Sequence, residues 1–289
     1  MLHRRAAKAI AFNLRKLVWR SGVALVAACT HEDIAADLQP EVIVRLQGGG
    51  RFELERRQPR RRAISFARRL RIEPGRKADY GAFRPMHYRC GEELGFVDKV
   101  FVLREGAAGE PLGVVVYAHG PMQLSLRNRA TGGRFVGNPE RLNRELRILR
   151  RLVIHPDVRG CGLGHWLVRQ TLPMVGVPYV ECLANMGRIN PVFEKAGMER
   201  IGLCPLPRDR QRAVAELRGL GVGPLDPDLA EQISRRPAVR RLVRAVVLGW
   251  LQATTGGGQR RLAHQTARGL AMTFRQLAGS RPVYYLWRR

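Results

Sequence analysis

In this 289-residue chain the residues best placed to do chemistry lie between Arg147 and Gln170. Ile148 to Ile154 is a run of aliphatic and β-branched side chains that predicts a strand, and Pro156 and Asp157 end it. Gly160, Gly162 and Gly164 then predict a tight turn, and Trp166, Leu167 and Val168 begin a helical face. A strand, a glycine turn and a helix in that order point free backbone N–H groups at whatever lies above the helix start. Added to the positive end of the helix dipole, those groups favour a phosphate or pyrophosphate, and glycine lets such a ligand approach the main chain without a Cβ clash.

A second stretch, Asn190 to Met198, follows after the strand-like run Pro178 to Ala184. Together the two stretches resemble the GNAT (Gcn5-related) N-acyltransferase superfamily. Arg159, Gly162 and Gly164 match the fixed positions of that family's pyrophosphate loop, which runs Gln or Arg, two residues, Gly, one residue, Gly or Ala. Asn190, Phe193, Lys195, Gly197 and Met198 match usual positions of its next helix. The resemblance covers residues 63 to 206 and implies direct acyl transfer, most simply of an acetyl group from acetyl-CoA. An amine attacks the thioester carbonyl, a base removes its proton, and an acid protonates the leaving thiolate. It also implies that the main chain of Leu152, Val153 and Ile154 pairs with the pantetheine arm. The pyrophosphate would be held by the amides of Arg159, Gly160, Cys161, Gly162, Leu163 and Gly164, with Asn190 completing the cofactor site.

Proton-transfer roles are less legible. Many members of the family protonate the thiolate with a tyrosine in the second motif, where this chain has Phe193. Glu145, at the start of the cofactor strand, stands close to where the family places a carboxylate base. His155, beside the loop, titrates in the right range, although a histidine before a Pro-Asp turn is as readily structural. Tyr179, Glu181 and Cys182 lie on the strand expected to face the split in the sheet, but alternate residues there must point into the core. Cys161 reads as a small tolerated side chain, since direct transfer needs no covalent enzyme intermediate.

Composition bounds the alternatives. The net charge of +27 suggests an acidic partner such as nucleic acid, an anionic surface or a phosphate-bearing cofactor. Yet Lys8, Lys16, Lys77, Lys99 and Lys195 are the only lysines, and so arginine-rich a chain is what a GC-rich genome produces without selection for binding. The five cysteines are scattered, with no CxxC pair or Cys/His cluster, which indicates neither a metal site nor a disulfide framework and favours a reducing cytoplasm. No run is long enough for a membrane span. Ser21 to Cys29 imitates a lipoprotein signal, but its apolar part is short, and a buried strand is the better reading.

The elements that must position the loop follow in order. The expected class is mixed α/β: a GNAT-like central mixed sheet flanked by helices, with an α/β N-terminal remnant and a helical C-terminal extension. Residues 1–50 read as a helix (Arg4 to Trp19), a strand (Val23 to Ala28), Thr30 to Asp33, and a second strand (Leu38 to Leu46). That succession resembles the C-terminal end of an ABC-type ATPase domain, in which His31 would contact a γ-phosphate, but no GxxxxGK[ST] loop accompanies it. Gly256 to Leu262 imitates that family's signature loop and reads more simply as a flexible turn. Residues 51–77 form a basic linker whose strand Ala63 to Phe66 opens the acyltransferase domain. Residues 78–206 form that domain, with a helix from Asp79 to Cys90, strands Val100 to Arg104 and Val114 to His119, and a long connection, Gly120 to Leu146, where an acceptor would enter. Residues 207–289 are helical, with apolar faces at 242–251 and 262–277, and leave open a cap, a homodimer or another partner surface. Two functions remain: an acyl-CoA-dependent N-acyltransferase acting on an amine of a small molecule or protein, or a noncatalytic GNAT-fold or ATPase-associated protein that binds nucleic acid or a protein.

Overall fold

The fold was obtained as a computed structural model that describes residues 4–60, 62–87, 94–106, 109–254, 258–279 and 281–289. Two compact units result, the first comprising residues 1–183, 190–201 and 285–289 and the second residues 184–189 and 202–284. The architecture is mixed α/β. A hairpin of β1 (Val42–Gly48) and β2 (Arg51–Arg56) precedes a seven-stranded sheet built from β3 (Leu70–Gly75), β4 (Val97–Glu105), β5 (Pro111–Ala118), β6 (Leu146–Ile154), β7 (Tyr179–Ala184), β8 (Glu199–Leu203) and β9 (Val283–Arg288). The order is β3-β4-β5-β6-β7-β9-β8, with β3 to β6 an antiparallel meander and β7 parallel to β6.

Alternation explains how both sheet faces are covered. Val100 and Val102 of β4, Val114 and Val116 of β5 and Val153 of β6 pack with Tyr80 and Phe83 of the short helix α2 (Asp79–Phe83). On the opposite face Phe101 and Tyr117 meet edge to face at 6.1 Å, and the Tyr117 hydroxyl lies 2.7 Å from Thr171 of α5 (Leu163–Thr171). Gly113 is required at its position, because a Cβ there would lie 2.7 Å from Ile154 Cδ1. Pro74, which has no N–H to donate, is tolerated because β3 is the sheet edge.

The first fifty residues do not fold as an ATPase remnant. The expected helix forms as α1 (Arg4–Ser21), but the expected strand Val23 to Ala28 is irregular and exposed, Val26 at 97%. The expected strand Leu38 to Leu46 appears as β1, which pairs only with β2. Hydrophobicity alone makes no strand where no ladder partner is present. Instead, α1 and the turn after it are built into the first unit. Arg5 bonds Glu105 of β4 at 2.9 Å, and buried Asp37 accepts from the N–H and Oγ of Ser65, each at 2.7 Å. His31 lies at the start of a short turn, Glu32–Ile34, whose first N–H groups its side chain does not cap.

Other boundaries moved for local reasons. Ala63 to Phe66 is no strand; Ser65–Arg69 is a 3₁₀ turn that buries Phe66, and the opening strand is β3, where apolar Leu70 and Ile72 alternate with Arg71 and Glu73. The expected helix to Cys90 stops at Phe83, since Pro85 leads a 3₁₀ turn, and Tyr88 and Cys90 lie outside the described residues. The connection from Gly120 holds two helices, α3 (Ser125–Ala130) and α4 (Pro139–Glu145), the latter capped by Asn138 Oδ1 on the Arg141 N–H at 2.9 Å. Before β8 comes α6 (Val192–Lys195).

The second unit is a helical cluster. It contains α7 (Arg208–Gly219), α8 (Leu229–Arg235), α9 (Pro237–Thr254), α10 (Gly258–Ala263) and α11 (Ala267–Gly279), packed through Leu217, Ile233, Val243, Val247 and Phe274. Of the signature-like stretch, Gly256 and Gly257 lie outside the described residues and the remainder is α10. Among the described residues no helix is long and apolar enough to cross a membrane.

Candidate functional site

Strands β6 and β7 pair only from Leu146 to Leu149 against Tyr179 to Cys182. Among the described residues the pairing of β6 with β7 does not extend to Leu152, Val153 or Ile154. A bulge marks the place: Val116 opposes Arg151 and Tyr117 opposes Leu149, so the register against β5 shifts by one residue at Arg150. A strand edge beyond its ladder can take an extended, amide-bearing ligand as an added strand, here short of Ile154 O, which accepts from Arg159 Nε.

The glycine loop lies at the far end of that edge. Gly160 and Gly162 adopt φ of 81° and 85°, left-handed backbone that other residues adopt at a cost. Among the described residues, the N–H groups of Gly160, Cys161, Gly162, Leu163, Gly164 and His165 meet no acceptor, the first bond after them being Trp166 N–H to Gly162 O at 3.3 Å. Six consecutive free donors at the start of α5 make a cradle for an anion. A Cβ on Gly164 would enter the space between Leu152 and Ile154 of β6 and Val192 of α6, 3.3 Å from Val192 Cγ2.

Helix α1 holds this loop from behind. Asn13 Nδ2 donates to Arg159 O at 2.9 Å and Lys16 Nζ to Gly160 O at 2.5 Å, so the loop's carbonyls are tied down while its amides stay open. A Cβ on Gly160 would lie 2.4 Å from Asn13 Oδ1. The surrounding charge is mostly positive. Burial foremost presses Lys16 below the ordinary lysine range; Cys161 opposes it, and Arg20, Arg15 and Lys195 add to it. Burial, then Arg169, Lys195 and Lys16, likewise lower His165. An anionic ligand would relieve this crowding. The sequence offered no signal for Asn13 or Lys16, which stand about 145 residues before the loop on a helix read as part of another module.

Each residue singled out from sequence now has a place. Arg159 turns away from the loop and braces it, Nε donating to Ile154 O and Nη2 to Met86 O, both at 2.9 Å. His155 caps the turn Pro156–Val158, its Nδ1 accepting from the Asp157 N–H at 3.3 Å. It stands six residues, roughly 20 Å of strand, from the point where β6 and β7 part. Burial pushes the Cys161 thiol up to about 11, which leaves it protonated near neutrality. Asn190 is exposed ahead of α6. Phe193 is buried against Tyr285 of β9 at 5.3 Å, and the Tyr285 hydroxyl donates to Glu194 Oε1 at 2.8 Å.

The carboxylates are saturated. Glu145 is the last residue of α4 rather than the first of the strand. It accepts from Arg134 Nε at 2.8 Å, with Arg144 and Arg141 at 3.7 and 3.9 Å, and the Arg134 bond foremost holds it below the usual carboxylate range. A carboxylate so held is a weak proton acceptor near neutrality. Glu181 and Arg127 form an ion pair with both side chains at 0% exposure, Nε and Nη2 donating at 2.9 and 2.8 Å, and Nη2 also reaching Pro121 O at 2.7 Å. Cys182 is fully buried, which raises its thiol. Tyr179 packs edge to face on Phe135 at 5.5 Å beneath Arg134.

A cleft of about 820 Å³ opens at the other end of β6, among Gly75, Arg76, Lys77, Phe96, Val97, Asp98, His119 and Asn143. His119 follows β5 directly, two residues beyond Tyr117, which pairs with Leu149 at the parting of the strands. Its Nδ1 lies 3.3 Å from Asn143 Oδ1, and its N–H is fixed on Phe96 O at 2.9 Å. Asp98 is paired with Arg147 Nε at 2.8 Å. A histidine at the end of an apolar strand, just before Gly120 and Pro121, was the available signal for this end of the site. Among the described residues no group of three or more His, Cys, Asp or Glu side chains is arranged to hold a metal.

No family model matches the chain, and no curated protein does. Among solved structures, AAC(6')-Ib in complex with paromomycin and acetyl-CoA is similar at 16% identity and TM-score 0.33, over 46% of this chain and 85% of that one. The aminoglycoside acetyltransferase AAC(6')-Ib with coenzyme A and kanamycin is similar at 15% identity and TM-score 0.34, over 48% and 89%. Likenesses this low do not bear on substrate or activity.

Proposed function

We propose that this chain is an acyl-CoA-dependent N-acyltransferase, in the simplest case an acetyltransferase that moves an acetyl group from acetyl-CoA to an amine. The observation that carries the reading is the row of six unsatisfied N–H groups from Gly160 to His165 at the start of α5, ringed by Lys16, Arg169 and Lys195. Donors left open beside uncompensated cations suit a ligand with several negative charges, and a pyrophosphate fits both. The stretch Leu152 to Ile154, beyond the described pairing of β6 with β7, leads away from that cradle, as an amide-bearing pantetheine arm requires. The thioester then lies near Leu149 and Arg150, beside the cleft that holds His119. There the amine attacks the carbonyl carbon, and the sulfur leaves with the bonding electrons.

A noncatalytic acyl-CoA-binding protein is the second reading. It is favoured by one set of facts: Glu145 and Glu181 are both held by arginines, and Phe193 stands where a tyrosine acid would be. Release of free thiol from acetyl-CoA, followed with a panel of amines, separates the two. Amine-dependent release supports the enzyme; tight binding without release under any amine leaves the binding protein.

A further inference from the structure

We propose that the cleft beside β6 is the acceptor site for amines that also carry an anionic group, and that His119, held by Asn143, takes the proton that the amine gives up. This rests on the acyltransferase reading above and goes beyond it by naming the acceptor class and the base.

The charge of the wall carries the first part. Arg76 and Lys77 are exposed on it, and its one described acid, Asp98, is already neutralised by Arg147. Asp79, at the start of α2, is engaged by the Arg76 N–H at 2.6 Å. The described wall therefore carries a net positive charge, Arg76 and Lys77 against the one carboxylate of Asp79, whose Oδ2 lies beside Gly75. A polyamine entering it meets like charge, whereas an amine bearing a carboxylate or phosphate at its far end finds a counter-ion. The same cations favour the neutral over the protonated amine, and only the neutral form has the lone pair that attacks.

Elimination and geometry carry the second part. Glu145, Glu181 and Cys161 are unsuited to accept a proton, for the reasons given above, and His155 stands at the wrong end of the strand. His119 stands at the right end and lines the cleft. With its Nδ1–H donated to Asn143 Oδ1, Nε2 is the lone-pair nitrogen. The charged groups that line the cleft with it are Asp98 of β4, which Arg147 of β6 pairs, and Arg76 and Lys77 after β3. In the step, the amine nitrogen bonds to the thioester carbon and the C–S bond breaks. The amine proton passes to His119 Nε2, and the thiolate keeps the electron pair until solvent protonates it.

The test uses the full chain, acetyl-CoA and amines of matched reach: β-alanine, glutamate and the peptide Glu-Gly-Gly against propylamine and 1,3-diaminopropane. The expected order of kcat/KM places the anionic amines above propylamine and 1,3-diaminopropane last, about tenfold or more from first to last. Paired replacement Arg76→Ala and Lys77→Ala, both on the surface, erases that order while acetyl-CoA affinity stays unchanged. His119→Gln lowers kcat about a hundredfold with little change in KM, and removes the acidic limb of the pH–rate profile. Asn143→Ala, a positioning change, gives a smaller loss and shifts that limb. Acetyl-CoA binding with no acetylation of any anionic amine, or with 1,3-diaminopropane preferred, overturns the acceptor class. An unchanged pH profile in His119→Gln overturns the base. Failure to bind acetyl-CoA at all instead overturns the acyltransferase reading.

Discussion

The loop at Arg159 to Gly164 and the carboxylates at Glu145 and Glu181 differ in one respect that decides their roles. In the loop, polar groups are left open: among the described residues six N–H donors have no acceptor, and Lys16, Arg169 and Lys195 crowd beside them. At Glu145 and Glu181 every oxygen is engaged by arginine. Buried polar groups are ordinarily satisfied by the fold itself. Where they are, they fix structure; where a row of them is not, the structure is prepared for a ligand. Position beside β6 made both carboxylates look chemical, and the structure has both held by arginines.

The sharpest way to break the comparison is to open the closed site. Arg127→Ala takes both arginine hydrogen bonds from the buried Glu181 carboxylate, and should lower unfolding stability by about 3–5 kcal/mol in a denaturant titration. Replacing both partners by Met and Leu should restore most of the loss. A single-variant loss under about 1 kcal/mol would mean that the pair is not dry. Next in size is closing the open site. Gly164→Val fills the gap toward Leu152, Ile154 and Val192, and should weaken acetyl-CoA binding at least tenfold by calorimetry while the melting temperature shifts little.

Smaller effects sharpen the contrast. Lys16→Ala removes one cation and one tie on the Gly160 carbonyl, and is expected to weaken binding about fivefold. The loss should shrink as salt is raised. Because Lys16 already sits below the ordinary lysine range, binding of a polyanion should draw it back up. In the free protein it loses its proton first as pH rises, so affinity should fall with rising pH in that alkaline range, and Lys16→Ala should flatten the fall. Least of all, Glu145→Gln should alter kcat less than about threefold, since a carboxylate held down by Arg134 is not the base. A hundredfold loss in that variant would return Glu145 to the mechanism.

The glycine loop was more legible in the sequence than the cleft at the other end of β6, and the reasons are physical. Gly160 and Gly162 need left-handed backbone and Gly164 a close approach, constraints that show in residue type and spacing. Helix periodicity likewise placed α1 and α9 within a few residues. What failed were features fixed by partners distant in the chain. Val23 to Ala28 has the composition of a strand and no neighbour to pair with. Leu70 to Gly75 has mixed composition and is a strand because Val100 to Glu105 pairs with it. Lys16 on Gly160 and Arg127 on Glu181 are long-range contacts that no local pattern announces.

The central claim is that the open amides of Gly160 to His165 hold the pyrophosphate of an acyl-CoA. Calorimetric titration of acetyl-CoA into the full chain and into Gly164→Val, at two salt concentrations, tests it most directly. The expected result is saturable one-to-one binding that weakens with salt and is lost in the variant. Absence of binding in the unaltered chain, or equal affinity in Gly164→Val, would contradict it.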